Sequence, residues 1–165
     1  ALPIWCARSG PVSAGDGRMI RVLVQQDAID VPAELDLHDA GGHGASASFI
    51  GRVRGDDDLT ELFLEHHPVL TVAGLAELAH AAADRWGLAA LTLIHRVGAL
   101  APGETIVLVL ASSRHRGEAL AATEFLIDRL KTDVMLWKRE SFADGRIQWV
   151  EPRDSDDDRA ERWNA

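Results

Sequence analysis

The chain has 165 residues, 47% hydrophobic and 26% charged, which suits one soluble globular domain with a core of its own. Its net charge of −9 opposes nonspecific binding to nucleic acid or to an anionic membrane, so an anionic ligand would need a local cationic pocket. A single cysteine, Cys6, excludes an internal disulfide. No apolar run approaches the roughly 20 residues that cross a bilayer, and no basic-then-apolar signal peptide is visible, so a cytoplasmic location is expected.

Residues 1–18 carry Pro3, Gly10, Pro11, Gly15 and Gly17 with little periodicity and read as a flexible extension, with Met19 an alternative start; residues 19–165 then form the domain. Ile20 to Val24 reads as a first strand, and Val31 to Leu37 as a short helix opened by Pro32. Ala45 to Arg54 reads as a strand, followed by the acidic turn Gly55-Asp56-Asp57-Asp58. Glu61 to His66, which alternates Leu62 and Leu64 with polar neighbours, completes an expected hairpin. Thr71 is placed to cap a helix bearing Val72, Leu75, Ala79, Ala82 and Trp86 at helical spacing, and Gly87 ends it. Leu91–Val97 and Thr105–Ala111 read as a strand pair. Ser112 or Ser113 would cap a second helix from about Gly117 to Lys131, with Leu120, Ala121, Phe125, Ile127 and Leu130 on its apolar side. Asp144-Gly145 predicts a two-residue turn between Trp137–Phe142 and Arg146–Val150, and the tail from Glu151 is polar and acidic. It reads as solvated, or as able to fold back on a cationic groove. Irregular alternation of strands and helices gives an α+β class and a single domain.

Lysine occurs only at Lys131 and Lys138, while the other 15 basic residues are arginine. Arginine is a permanently charged fork, whereas lysine is a compact amine able to act as acid, base or nucleophile. Drift from lysine to arginine explains the scarcity but not the clustering in Lys131-Thr132-Asp133-Val134-Met135-Leu136-Trp137-Lys138. In one strand the two Cα atoms would stand about 23 Å apart, and in one helix about 10.5 Å. Helix ending near Lys131 and strand beginning near Trp137 predict a bend that brings both amines to one pocket. Two solvated lysines and two active-site lysines both remain open on residue type.

Arg114-His115-Arg116 falls between a strand end and a helix start, where backbone amides and cations together suit a phosphate; a solvated basic turn is the alternative. Gly51-Arg52-Val53-Arg54 places two more arginines on one face of a strand. His38, His43, His66, His67, His80 and His95 have no metal-ligand spacing, so no metal site is expected. No phosphate-binding glycine loop and no serine-hydrolase elbow is present.

Several segments in order resemble the MoaE family, the large catalytic subunit of molybdopterin synthase. They are Gly44-Ala45 with Phe49-Ile50-Gly51-Arg52-Val53-Arg54, Leu64-Glu65-His66-His67-Pro68, Arg85-Trp86, and Ile94-His95-Arg96-Val97-Gly98. Pro102-Gly103-Glu104, His115-Arg116, Lys131-Thr132 through Trp137-Lys138-Arg139-Glu140, Trp149-Val150-Glu151 and Arg153-Asp154-Ser155-Asp156 continue the series. The resemblance implies an α/β-hammerhead fold with additional antiparallel strands. It implies a sulfurtransferase of molybdenum cofactor biosynthesis, converting cyclic pyranopterin monophosphate to molybdopterin.

Two sulfurs would come from the thiocarboxylated Gly-Gly end of a small ubiquitin-like carrier of the MoaD type and form the dithiolene. The implied assembly is a homodimer binding two carriers, a heterotetramer, with no resident cofactor or metal. Lys131 and Lys138 correspond to the catalytic lysines. Arg52, Val53, Arg54, His115, Arg116, Lys131, Lys138, Arg139 and Glu140 correspond to substrate-binding positions. The chain departs from the family pattern at Val134-Met135-Leu136, where the family has Ala-Pro-aromatic, at His67, where it has tyrosine, and at Val69-Leu70, where it has Gly-Met. A non-catalytic relative that docks a ubiquitin-like partner, or a module binding a phosphorylated metabolite, are the alternative readings.

Overall fold

A computed structural model describes residues 12–13, 17–38, 42–151 and 154–164, so most of the expected extension over 1–18, and Cys6 with it, lies outside the described residues. Within that extension a two-residue strand β1 (Val12–Ser13) pairs with the start of β2 (Met19–Gln25). The chain continues through α1 (Val31–His38), β3 (Ala45–Arg52), β4 (Leu59–His66), α2 (Leu70–Trp86), β5 (Ala90–Arg96) and β6 (Gly98–Leu100). It ends with β7 (Thr105–Ser113), α3 (Arg116–Asp133), β8 (Leu136–Phe142), β9 (Ile147–Val150) and α4 (Asp154–Glu161). The fold is α+β with two sheets, ordered β1-β2-β5-β7-β3 and β6-β4-β8-β9.

Strand β5 is buried along its whole length because both faces of its sheet are covered. On one face Leu91, Leu93, Val109 and Ala111 pack against Leu75, Ala79 and Ala82 of α2 and Ala122, Leu126 and Leu130 of α3. On the other, Leu23, Ile94, Leu108 and Leu110 meet Val31 and Leu35 around α1. A polar bond set pins α1 there: His38 Nδ1 lies 3.1 Å from the Thr92 hydroxyl and Nε2 2.7 Å from that of Ser112. The second sheet has its own small core of Val53, Leu62, Leu64 and Leu100.

Most strands match the expected ones, but β1, in the expected extension, and β6, between the expected strands Leu91–Val97 and Thr105–Ala111, do not, and partnership was not legible. The expected β3–β4 hairpin does not form: β3 pairs with β7, sixty residues on, and β4 pairs with β6 and β8 in the other sheet. Alternation within a strand sets which side is buried, and says nothing of the neighbour across the hydrogen bonds. The β5–β7 pair is as expected, although its connection contributes β6 to the other sheet. The β8–β9 hairpin turns through three residues, Ala143-Asp144-Gly145, rather than two. It is closed by Phe142 N–H to the Arg146 carbonyl at 2.9 Å, with Gly145 at φ 85°.

Helix starts also differ from expectation. Ser112 and Ser113 are buried within β7, and His115 occupies the cap position of α3. Leu120 faces solvent, because α3 turns Ala119, Ala122, Leu126 and Leu130 inward instead. Thr71 sits inside α2, and it is the His67 imidazole that caps the helix, its Nδ1 accepting the Val69 and Leu70 backbone N–H groups at 3.3 and 3.1 Å. Gly87 ends α2 as expected, in the left-handed conformation at φ 57°.

The acidic tail is not simply solvated. It returns along α3, where Trp163 packs edge-on against Trp86 and Phe125 at 5.7 and 5.6 Å. Buried Asp128 accepts hydrogen bonds from Trp163 Nε1 (2.8 Å) and Arg162 Nη2 (2.7 Å). Among the described residues no helix is long and apolar enough to cross a membrane. Trp163→Ala should lower the unfolding free energy by about 2–3 kcal/mol and open residues 154–164 to limited proteolysis. Urea unfolding with a protease digest measures both effects.

Candidate active site

An open cavity of about 620 Å³ lies where the two sheets and the end of α3 converge. The first sheet lines it with Phe49, Gly51, His95, Val107 and Val109. The inner face of the second sheet adds Leu62, Leu64, Lys138, Glu140 and Val150, and α3 adds Ile127, Leu130 and Lys131. Arg52, Arg54, Asp56, Asp57, Arg146 and Glu151, all exposed, form its mouth, and Lys131 and Gln148 are exposed lining residues as well.

The bend between the lysines is real and has a defined construction. Helix α3 ends at Asp133, Val134 is extended (φ −110°, ψ 129°) and buried, and β8 starts at Leu136. Between them the Met135 carbonyl accepts a 2.7 Å hydrogen bond from the Thr71 hydroxyl, which itself accepts from the His67 backbone N–H at 3.0 Å. Lys131 therefore reaches the cavity from a helix and Lys138 from a strand. Each amine is held by a carboxylate that also lines the cavity: Lys131 Nζ lies 2.9 Å from Asp156 Oδ1, and Lys138 Nζ 2.7 Å from Glu140 Oε1.

Of the residues singled out in the sequence, Arg52, Val53, Arg54, Lys131, Lys138 and Glu140 come together here, Val53 as a buried core residue. Arg139 does not. Neighbours along a strand face opposite ways, and Arg139 stacks on Phe63 at 4.7 Å on the outer face of the second sheet, 3.6 Å from Glu61. His115 and Arg116 are also elsewhere, in a separate exposed concavity at the start of α3 with Gly44, Ala45, Arg114, Gly117 and Glu118. A side chain at Gly44 would collide with the Arg114 backbone carbonyl, so glycine permits this close approach. Within one chain the cations form two sites rather than one.

Asp156 and His95 were not among the expected site residues. Asp156 belonged to the tail, whose return along α3 no local pattern reveals. His95 lies in one of the ordered family segments, and strand parity sets it opposite Val107 in β7, on the same side as Leu91 and Leu93. Burial pushes its imidazole down from 6.5 to about 4, against the smaller opposing effect of its hydrogen bond to the Arg96 carbonyl. Among the described residues no group of three or more His, Cys, Asp or Glu is placed to hold a metal ion.

The chain is thus of the two-sheet α+β class, with a lysine pair and arginines set around one cavity, a cationic site within an acidic protein. Its relatives narrow that class. The description MoaE protein matches residues 24–133. The molybdopterin synthase catalytic subunit of Haemophilus ducreyi is 41% identical over 151 residues, 85% of this chain and 99% of that protein. The solved molybdopterin biosynthesis MoaE protein from Burkholderia ambifaria has TM-score 0.75 and 37% identity, covering 89% of this chain and 99% of that one. The protein–protein complex of subunits 1 and 2 of molybdopterin-converting factor from Helicobacter pylori shares the fold, with TM-score 0.67 and 22% identity over 81% of this chain and 91% of that one. The chain belongs to the MoaE family.

The depressed His95 value has a consequence for stability. The folded state holds the imidazole neutral while the unfolded chain protonates near 6.5, so its contribution is complete above pH 6.5 and is lost as pH falls towards 4. The loss amounts to roughly 3 kcal/mol across that window. Unfolding free energies of wild type and His95→Gln, measured from neutral pH downwards, should converge as the pH drops. A constant difference would show that His95 does not titrate in this way.

Proposed function

We infer that this chain is the catalytic subunit of a molybdopterin synthase, an enzyme of molybdenum cofactor biosynthesis that transfers sulfur to cyclic pyranopterin monophosphate. The observation that supports the reading most directly is the convergence of Lys131 and Lys138 on one cavity from a helix and a strand, with Arg52 and Arg54 at its mouth. A cyclic phosphate and a thiocarboxylate are both anions, and cations in a partly desolvated cleft hold them more firmly than they would in water.

In this reading Lys131 is the leading catalytic residue, acting as general acid/base or stabilising charge at the carrier's acyl carbon, and Lys138 assists and anchors substrate. Both amines are already paired with carboxylates, at side-chain exposures of 49% and 39%, where an ion pair adds little stability. An arriving anion can therefore exchange with Asp156 or Glu140 at small cost. The reading asks for no resident cofactor, because sulfur arrives with the carrier. Its setting is the cytoplasm.

The partner is a small ubiquitin-like protein ending in Gly-Gly, and the assembly a homodimer with two carriers. Trp137, Trp149 and Ile147 support such an assembly: they lie on the outer face of the second sheet, and each is 49% exposed or more. Apolar surface of this kind is commonly covered by a partner. A homodimer also offers a way for the Arg114–Arg116 site of one copy to serve the lysine cavity of the other.

The deciding experiment is reconstitution with a thiocarboxylated carrier and the pterin precursor, following dithiolene formation. Lys131→Ala should reduce turnover by at least about 100-fold while the carrier binds with unchanged affinity. Near-normal turnover would refute the assignment. Carrier binding without turnover by the wild-type protein would favour the non-catalytic alternative.

A further inference from the structure

The polar groups of the cavity are of two kinds. Most are charged and exposed or half-buried; His95, at 5% exposure, is the one buried polar side chain among the described residues that line it. Its Nδ1 lies 2.7 Å from the Arg96 carbonyl oxygen. A carbonyl oxygen can only accept, so the proton sits on Nδ1 and Nε2 carries the lone pair.

Among the described residues Nε2 has no hydrogen-bond partner. Among the described residues the fully enclosed side-chain atoms lacking a partner are Glu118 Oε2 and Arg139 Nε, so Nε2 of His95 is not enclosed and opens onto the cavity it lines. Around it the wall is apolar: Val107 is directly opposite in the strand register, and Phe49 and Val109 lie on the same face. A hydrogen-bond acceptor set in an apolar wall suits the donor edge of a flat heterocycle.

We propose that His95 is a positioning residue for the pterin substrate, its Nε2 accepting a hydrogen bond from an N–H on the aminopyrimidinone edge. The orientation follows from the substrate's two ends. The phosphate end needs the cations at the mouth, which leaves the opposite end, carrying the amino and ring N–H donors, to reach the wall where His95 waits. The inference rests on the functional reading above and adds the contact that selects a pterin over another phosphate ester. An unmatched buried acceptor is costly, so a ligand lacking that donor would be discriminated against.

The test uses precursor binding to the carrier-free protein by calorimetry, together with steady-state turnover in the reconstituted enzyme. His95→Leu should weaken precursor binding and raise KM by about tenfold, with a smaller change in kcat and unchanged affinity for inorganic phosphate and for the carrier. His95→Gln, which keeps an acceptor near the Nε2 position, should recover most of that loss. Should His95→Leu fail to fold, isotope-labelled wild-type protein gives the same answer: precursor should shift the His95 Nε2 resonance in the direction of an accepted hydrogen bond. An unmoved resonance, wild-type KM in His95→Leu, or a loss confined to carrier binding would overturn the proposal while leaving the synthase reading intact. A wild-type protein that neither binds nor converts the precursor would remove both.

Discussion

The hydrogen bond from the Thr71 hydroxyl to the Met135 carbonyl is the constraint on which the rest of the site depends. Helix α3 and strand β8 are separated by two residues, and the chain must change from one backbone geometry to the other without leaving the bend free to swing. Proline would fix φ at such a point, but Val134-Met135-Leu136 has none. Here the restraint comes from outside the segment. Buried Val134 anchors the bend in the core, and Thr71, itself in the first turn of α2, holds the next carbonyl. His67 completes the arrangement by capping α2 and donating its backbone N–H to the same threonine, so three departures or substitutions in the pattern are parts of one joint.

That joint explains how two lysines on different kinds of element come to line one cavity. Their charges are not free there, since Asp156 and Glu140 are in contact with them. Half-exposed pairs of this kind are weak enough to be exchanged for a bound anion, yet they keep cations in place in a protein of net charge −9. The returning tail is therefore part of the site. Trp163 and Asp128 hold it against α3, and Asp156 on the same returning segment meets Lys131.

Most of the longer strands and helices were readable from residue pattern, because burial imposes a period on each element separately, whereas β1, β6 and the polar α4 carry no such period and were not. Leu62 and Leu64 point inward as their alternation requires, and Leu75, Ala79 and Ala82 follow the helical stripe. Pairing was not readable. β3 and β4 look like a hairpin in sequence and lie in different sheets, since nearest-neighbour signals carry no record of which distant strand offers the better hydrogen-bonded edge. The same parity that placed Lys138 and Glu140 at the cavity turned Arg139 away, and parity put His95 on the wall although no site role was expected for it.

The sequence by itself determined the class of elements, the unusual retention of lysine at two positions, and membership of a family through ordered short motifs. Those are properties of residue type and spacing, which survive without coordinates. Only the tertiary structure decided that Arg114–Arg116 forms a separate site, that the acidic tail supplies a carboxylate to Lys131, and that buried His95 lines the cavity. Each of these depends on contacts between residues far apart in the chain. Such contacts are set by the packing of whole layers against one another, which no local pattern encodes.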